Sequence, residues 1–270
     1  TAASFYDLSG MTKDGTNLYV TNAYNHTIRK IAISTGVVST IAGSGGSPGS
    51  AEGTGTSARF RFPRGIATDG TNLYVVDQHN HKIRKIVIST GVVSTFAGSG
   101  SPGSADGTGP AATFKYPMGI TTDGTNLYVT GNSNNIIRKI VISSGVVTTI
   151  AGSVGSSGST DGTGPAARFD APYGITTDGT NLYVADTNNS TIRKIVISTG
   201  VVSTFAGYAG SRASTDGTGT AARFNKAREI STDGTNLYVS DTNNSTIRKI
   251  VISTGVVTTF AGSGTSGYAN

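Results

Sequence analysis

Short apolar tracts separated by turns run along the whole chain. In one stretch we predict strands at 65–68, 73–76, 83–88 and 92–97, because these tracts are β-branched or alternate apolar with polar positions. The connections between them include Asp-Gly-Thr-Asn and Ser-Thr-Gly, which are typical of tight turns. No long stretch has the periodicity of an amphipathic helix. The pattern therefore predicts an antiparallel meander of four strands.

The meander repeats five times with almost the same sequence. The phrase Asp-Gly-Thr-Asn-Leu-Tyr-Val begins at Asp14, Asp69, Asp123, Asp178 and Asp233, a spacing of 54 or 55 residues. A fixed period of this size is typical of propellers and solenoids, and four short strands per repeat match a propeller blade. We therefore expect residues 1–270 to form one all-β domain. We expect this domain to be a closed five-bladed β-propeller with four antiparallel strands per blade and long Gly-rich connectors between blades.

Each connector contains one phenylalanine at the same place, which we expect to fill the gap between neighbouring blades. These are Phe5, Phe60, Phe114, Phe169 and Phe224. The two chain ends align with adjoining parts of one connector, since 1–5 match 220–224 and 267–270 match the segment that ends at Asp216. We expect the ring to close there. The alternative is a fragment cut at a repeat boundary from a longer array.

Four motifs in each repeat resemble those of a known family. The succession Pro-x-Gly-Ile, Leu-Tyr-Val-x-Asp-x-x-Asn, Ile-Arg-Lys-Ile and Val-x-Thr-Phe-Ala-Gly is similar to the NHL repeat, over essentially the whole chain, and 186–195 is the best match within it. The resemblance implies a β-propeller. NHL domains are commonly six-bladed, so five repeats depart from the family's pattern.

Composition narrows the function classes. Only 13% of residues are charged, the formal net charge is +6, and cysteine is absent, so a disulfide framework and thiolate chemistry are excluded. The positive balance predicts mild attraction to anions. Few charges with much Gly, Ser, Thr and Asn suggest an exported bacterial protein, secreted or on the cell surface. No apolar run reaches the roughly 20 residues that span a bilayer, so we expect no membrane insertion.

Comparison of the five copies separates scaffold from candidate site. In a propeller, the loops between the second and third strands of each blade lie on the same face as the connectors between blades. Here the residues of that face differ from repeat to repeat, whereas the turns on the opposite face are nearly uniform. We therefore expect a ligand on the variable face; unconstrained drift of loop residues is the alternative. Ring closure would bring two basic pairs toward blade one. The candidate ligand-binding residues are Arg61, Arg64, Lys226, Arg228, Tyr24, His26, Tyr173 and Met118.

The chain offers little for catalysis. The pair His79 and His81 lacks an evident third metal ligand, and we interpret them and His26 as surface-loop residues. Amidating lyases related to the NHL family use metal-binding histidines, and this chain has too few to carry that role over. We expect no cofactor, no metal and no enzymatic activity.

These features predict a non-catalytic binding or assembly module. We expect a monomeric ring whose variable face contacts a protein or a glycan, and this partner can be anionic. The alternative is a nucleic-acid-binding propeller, as some animal NHL domains are. The five Arg-Lys pairs on the third strands favour the first interpretation, because no aromatic stacking platform accompanies them. We expect one member of each pair to bond the Asp that ends the second strand, such as Asp77, Asp186 or Asp241.

Overall fold

The computed structural model describes residues 3–267, and nearly all of its regular structure is β-strand. Each repeat forms one sheet, or blade, in which four successive strands lie side by side. Blade one contains β1 (Leu8–Lys13), β2 (Asn17–Asn22), β3 (Thr27–Ala32) and β4 (Val38–Ala42). Blade two contains β5 (Gly53–Thr54), β6 (Pro63–Thr68), β7 (Asn72–Asp77), β8 (Lys82–Val87) and β9 (Val92–Ala97). Blade three contains β10 (Gly107–Thr108), β11 (Pro117–Thr122), β12 (Asn126–Gly131), β13 (Ile136–Val141) and β14 (Val146–Gly152).

The last two blades repeat the same order. Blade four contains β15 (Gly162–Thr163), β16 (Pro172–Thr177), β17 (Asn181–Asp186), β18 (Thr191–Val196) and β19 (Val201–Ala206). Blade five contains β20 (Gly217–Thr218), β21 (Ala227–Thr232), β22 (Asn236–Asp241), β23 (Thr246–Val251) and β24 (Val256–Ala261). The five-bladed β-propeller of antiparallel sheets is confirmed.

Blades two to five each have a fifth strand that the sequence did not predict. It comes from the connector before the blade and pairs with that blade's last strand, as Gly53 does with Val93. The connector then makes a single 3₁₀ turn, Gly55–Ser57 in blade two. Gly55 has a φ of 56°, which glycine adopts at little cost. Each of these connectors therefore belongs to the sheet of the blade that follows it.

The chain divides into two compact units. The first runs to Val129 and also includes Lys139–Thr148, so it holds blades one and two with part of blade three. The second comprises Thr130–Arg138 and the chain from Thr149, and holds blades four and five. That the chain folds as one domain stays a prediction.

Within each unit, neighbouring blades bury apolar side chains against each other. We call the face that packs on the preceding blade the first face and the opposite one the second face. Between blades one and two, the cluster joins Tyr19, Ile28 and Ala42 of one second face to Ile66, Leu73 and Ile86 of the next first face. Between blades four and five, Tyr183, Ile192 and Ala206 meet Ile230, Leu237 and Ile250 in the same way. The connector phenylalanines Phe60, Phe114, Phe169 and Phe224 are buried as expected, and Phe5 is half-buried.

Two apolar faces are more exposed than the equivalent faces of other blades. On the first face of blade one, Met11 is 65% exposed, whereas its counterpart Ile66 is 5% exposed. On the second face of blade five, Phe260 is 61% exposed and Ile247 38%, whereas Ile192, the counterpart of Ile247, is fully buried. Closure of the ring stays a prediction. The expected meeting of the chain ends involves residues 1, 2 and 268–270, which lie outside the described residues.

A buried ion pair holds the third strand to the connector. In blade four, the guanidinium of Arg193 lies 3.0 Å from the Asp186 carboxylate, and both side chains are fully buried. Arg193 also donates hydrogen bonds to the carbonyl oxygens of Arg168 and Thr160 and lies over the Phe169 ring, 5.2 Å from its centroid. Blades two and five repeat the pair as Arg84 with Asp77 and Arg248 with Asp241. The expected bond from the arginine of each Arg-Lys pair to this aspartate is thus confirmed in three blades.

Removal of the buried carboxylate should destabilise the protein strongly. We expect Asp186→Ala to lower the free energy of unfolding by about 3–5 kcal/mol, because it removes the fully buried carboxylate that faces the Arg193 charge. Asp161 is the matched control: its carboxylate lies 2.7 Å from the same guanidinium but is 52% exposed. Asp161→Ala should cost less than about 1 kcal/mol. Urea unfolding measures both, and equal losses would contradict the role of the buried pair.

Candidate functional site

Five rings form a continuous chain of contacts across the variable face of the first unit. The ring centroids lie 5.0 Å apart for Tyr6 and Tyr24, 5.1 Å for Tyr24 and Phe62, 4.5 Å for Phe62 and His79, and 5.4 Å for His79 and Tyr116. We call these five side chains the aromatic ribbon. Tyr6, Tyr24 and Tyr116 are 62%, 47% and 38% exposed. The ribbon therefore offers aromatic surface to solvent on three successive blades.

Two buried histidines form hydrogen bonds with the main chain of two ribbon residues. Nδ1 of His26 accepts a hydrogen bond from the main-chain N–H of Phe62 at 3.3 Å, and Nδ1 of His81 accepts one from the N–H of Tyr116 at 3.2 Å. Each histidine is only 7% exposed. The interpretation of His26 and His81 as surface-loop residues is therefore wrong, because their imidazoles join one blade to the next.

Other blades make the same connection with different side chains. Asn135 Oδ1 accepts from the N–H of Ala171 at 3.0 Å, and Ser190 Oγ accepts from the N–H of Lys226 at 3.2 Å. We call these bonds the blade latches. Their donor residues all have left-handed backbone, including Phe62 with a φ of 54°. Since the conformation recurs with Ala and Lys in that place, it belongs to the scaffold and is not itself a sign of function.

Positive charge lies beside the ribbon. Arg61 is exposed, and among the described residues it forms no ion pair. Burial lowers the pKa of His26, His79 and His81, and the charge of Arg61 lowers it further in each case. All three imidazoles are therefore neutral at pH 7, which keeps Nδ1 of His26 and His81 available as an acceptor.

Arg64 and Met118 are less free to contact a ligand than the sequence predicted. The Arg64 guanidinium lies 2.9 Å from the Asp7 carboxylate and donates to Gln78 Oε1 at 3.3 Å. Met118 is 7% exposed, and its Sδ accepts a hydrogen bond from Gln78. Of the candidate residues, Tyr24 and Arg61 thus present the most accessible groups in the first unit.

The remaining three candidates lie in the second unit. The Arg228 guanidinium stands 5.7 Å from the centroid of the Tyr173 ring, within the range of a cation–π contact. Lys226 donates from Nζ to Asn188 Oδ1. A single basic crescent that combines these residues with Arg61, Arg64 and Tyr24 stays a prediction.

Among the described residues of the second unit, no comparable chain of ring contacts is found. Where blades one and two carry Tyr24 and His79, blade four has Asn188, which donates to Asp170 Oδ1 at 2.9 Å. Sequence reasoning missed Phe62 and Tyr116 as site residues. The available signal was that both aromatic residues immediately precede the first long strand of consecutive blades.

Metal and membrane sites were also considered. Within residues 3–267, no three His, Cys, Asp or Glu side chains form a group that could hold a metal ion. In the same residues no helix is long and apolar enough to cross a membrane.

Repeat pattern, sheets and site together define a propeller scaffold with loops that vary on one face. NHL repeat-containing protein 2 of Homo sapiens is 28% identical over 276 residues, which cover 89% of this chain and 38% of that protein. Protein SUPPRESSOR OF QUENCHING 1, chloroplastic, of Arabidopsis thaliana is 28% identical over 255 residues, covering 88% of this chain and 24% of that protein. The resemblance to the NHL-repeat family is confirmed by these relatives. The chain spans well under half the length of either, and no family model matches it.

Solved structures share the fold at lower identity. An auxiliary nutrient binding protein from Bacteroides thetaiotaomicron has a TM-score of 0.68 at 17% identity, covering 96% of this chain and 58% of that chain. A chain of the nidogen/laminin complex has a TM-score of 0.65 at 16% identity, covering 91% and 76%. Catalytically inactive virginiamycin B lyase from Staphylococcus aureus has a TM-score of 0.62 at 17% identity, covering 96% and 71%. Because this fold serves both binding proteins and an enzyme, it does not decide between them.

Acid should destabilise the chain through its latch histidines. Their pKa lies below the usual 6.5 in the folded protein, so the unfolded chain binds more protons as the pH falls below 6.5. The free energy of unfolding should therefore fall between pH 7.5 and pH 5. In His26→Ser with His81→Asn, which copy the latches of Ser190 and Asn135, that fall should shrink. Urea unfolding at each pH measures it, and an unchanged pH dependence in the double variant would refute the latch role.

Proposed function

We propose that the chain is a non-catalytic binding module that contacts a glycan or another macromolecule through the aromatic ribbon. The observation that carries the proposal is the ribbon itself. Its three exposed tyrosines are connected through ring contacts and lie on the face where the repeats differ. Tyrosine offers a rigid apolar ring with a polar end at low entropic cost, and Tyr and Arg are enriched where protein interfaces gain most of their energy.

The charge of Arg61 favours an anionic partner. It stands beside neutral rings, so an acidic sugar or a carboxylate on a protein would find both a stacking surface and a countercharge there. We extend the proposed site of the first unit to Arg64, with His26 and Met118 as support. In the second unit we propose Lys226, Arg228 and Tyr173 as a separate contact surface. In this proposal the chain is one domain of an exported bacterial protein, at the cell surface or secreted.

Nucleic acid is the second candidate, and the ribbon is also what favours it. Bases stack on aromatic side chains whatever their sequence, and phosphates would contact Arg61 and Arg64. The two candidates differ in their salt dependence. Binding through several phosphates weakens steeply as salt rises, by roughly a factor of 10³ or more between 50 and 200 mM for six to ten contacts.

Replacement of ribbon rings by the residues that blade four has at the same positions should weaken binding. We expect Tyr24→Asn with Tyr116→Ala to weaken retention on immobilised heparin about tenfold or more, the effect of losing roughly 1.4 kcal/mol. The repeats already tolerate Asn188 and Ala171 there, so the fold should survive. Affinity chromatography on heparin, a neutral polysaccharide and single-stranded RNA, each at several salt concentrations, gives the measurement.

The control is Tyr208→Ala, which removes a 57% exposed tyrosine that also has an arginine over its ring but lies in the second unit. This variant should bind like the parent. Retention only on RNA with a steep salt dependence would favour the second candidate. If the parent binds none of the three matrices, or if the ribbon variant binds as well as the parent, the ribbon is not the binding surface.

A further inference from the structure

Four of the five blades end in the same edge contact. In blade two, Gly53 of the connector pairs with Val93 of the last strand, β9. The N–H of Gly55 then donates to the carbonyl oxygen of Gly91 at 2.9 Å. Blades three, four and five repeat the pairing in the same register. The last strand of a blade is therefore built to accept a short extended segment along its outer edge.

The segment also brings acceptors for the buried arginine. In blade four, the Arg193 guanidinium donates to the carbonyl oxygen of Thr160 at 3.1 Å and lies 2.7 Å from the Asp161 carboxylate. The same carboxylate accepts a hydrogen bond from Thr204 Oγ1 at 3.0 Å. Blade five repeats all three contacts, with Asp216 as the acidic residue. An acidic residue directly before Gly-Thr thus adds charged hydrogen bonds to the main-chain pairing.

Blade one presents the same edge without such a segment. Among residues 3–267, no strand pairs with the outer edge of β4. Gly36 is exposed, whereas its counterpart Gly91 is buried. Val38 is half-buried, whereas its counterpart Val93 is only 2% exposed. In the part of the chain that the structure describes, β4 therefore leaves open the edge that the last strand of every other blade has covered.

The arginine of blade one lacks the acceptors that the segment supplies elsewhere. Arg29 donates to the carbonyl oxygens of Ser39 and Ser4, each at 3.4 Å, and forms no ion pair with any described residue. Asn22 replaces the aspartate of the second strand. It is fully buried, and its Nδ2 has no hydrogen-bond partner among the described residues. Both groups are donors, so a carboxylate is the complementary group for this edge.

We propose that the outer edge of β4 is a docking site for an extended segment of a partner protein, in which an acidic residue is followed by Gly-Thr-Gly. The Gly-Thr pair adds to the sheet opposite Val38 and Val37, and the last glycine donates to the carbonyl oxygen of Gly36. The carboxylate lies against Arg29 and Thr40. Such recognition takes its affinity from main-chain hydrogen bonds and its selectivity from side chains.

The occupant is a segment of another protein for a simple reason. The Gly-Thr pairs of this chain's own connectors already pair with the last strands of blades two to five, so a second copy has none to offer in the same form. The edge of β4 shares no residue with the aromatic ribbon. The proposal therefore does not depend on the function proposed for the ribbon.

A synthetic peptide allows a direct test. The probe is Ser-Thr-Asp-Gly-Thr-Gly-Thr, which has the sequence of residues 214–220. We expect saturable binding at one site with a Kd of about 1 mM or tighter. NMR spectra of the isotope-labelled protein measure the affinity, and the largest shifts should fall on the amides of residues 36–40. A peptide with Asn in place of Asp should bind about tenfold more weakly or worse, because it loses the charged hydrogen bonds.

Variants of the protein test the same contacts from the other side. Arg29→Gln removes the charge and should weaken peptide binding about tenfold or more. The matched control is Arg61→Gln, since Arg61 is an exposed arginine of the same unit without an ion pair among the described residues. This control should bind the peptide like the parent. Its result separates the edge of β4 from general attraction of an acidic peptide to the basic protein.

Thr40→Pro tests the main-chain part without changing a charge. The equivalent N–H in blade two, that of Thr95, donates to the Glu52 carboxylate at 2.7 Å. Proline removes this donor and is tolerated on the edge of a sheet, so the variant should fold and bind about tenfold more weakly or worse.

Several results would overturn the proposal. These are no saturation of the parent below about 5 mM peptide, equal binding of the Asp and Asn peptides, an equal loss in Arg29→Gln and Arg61→Gln, or unchanged affinity in Thr40→Pro. Circular dichroism checks that each variant is folded. If Arg29→Gln does not fold, the Asn peptide and Thr40→Pro still decide.

Discussion

One buried guanidinium in each of blades two to five holds together the parts on which the rest depends. A charge out of water must be paired and hydrogen-bonded, and Arg193 contacts two carboxylates, two connector carbonyl oxygens and an aromatic face. Those carbonyl groups belong to irregular backbone that has no ladder of its own. The arginine thereby fixes the connector, and the connector fixes the phenylalanine between the blades. Blade one has Asn22 in place of the aspartate, and its Arg29 and Phe5 are half-buried.

A fixed backbone leaves the side chains of the variable face free to differ. The blade latches show this most directly, since His, Asn and Ser each supply one acceptor to the equivalent main-chain N–H group of the next blade. The scaffold requires a hydrogen-bond acceptor at this position, and His, Asn and Ser each provide one. In blades one and two the residue is a histidine, which also packs edge-on against the neighbouring ring. The latch thus serves stability in blades one to four and shapes the binding surface in only two of them.

The sequence predicted those features that each repeat encodes within itself. The strands, the tight turns, the plug phenylalanines and the Arg–Asp pairs all recur at a fixed spacing, and their physical role follows from residue type. The two-residue fifth strands were not predictable, because a Gly-Thr pair is too short to show a strand pattern and pairs only through main-chain contacts made in the folded blade. The ribbon was only partly predictable, since Phe62 and Tyr24 are 38 positions apart in the chain and meet across two blades. The exposed faces of blades one and five depend on packing and not on local pattern.

The pairing of each connector with the blade after it defines the natural module of this chain. A repeat unit that began at the first long strand, at Pro63 in blade two, would exclude the edge strand of its own blade and assign it to the preceding unit. A unit counted from Gly53 carries its whole sheet, its plug and its arginine anchor. Duplication or loss of a gene segment with that boundary would therefore add or remove a finished part. The near identity of the five copies is what such a history of whole-module copying would leave.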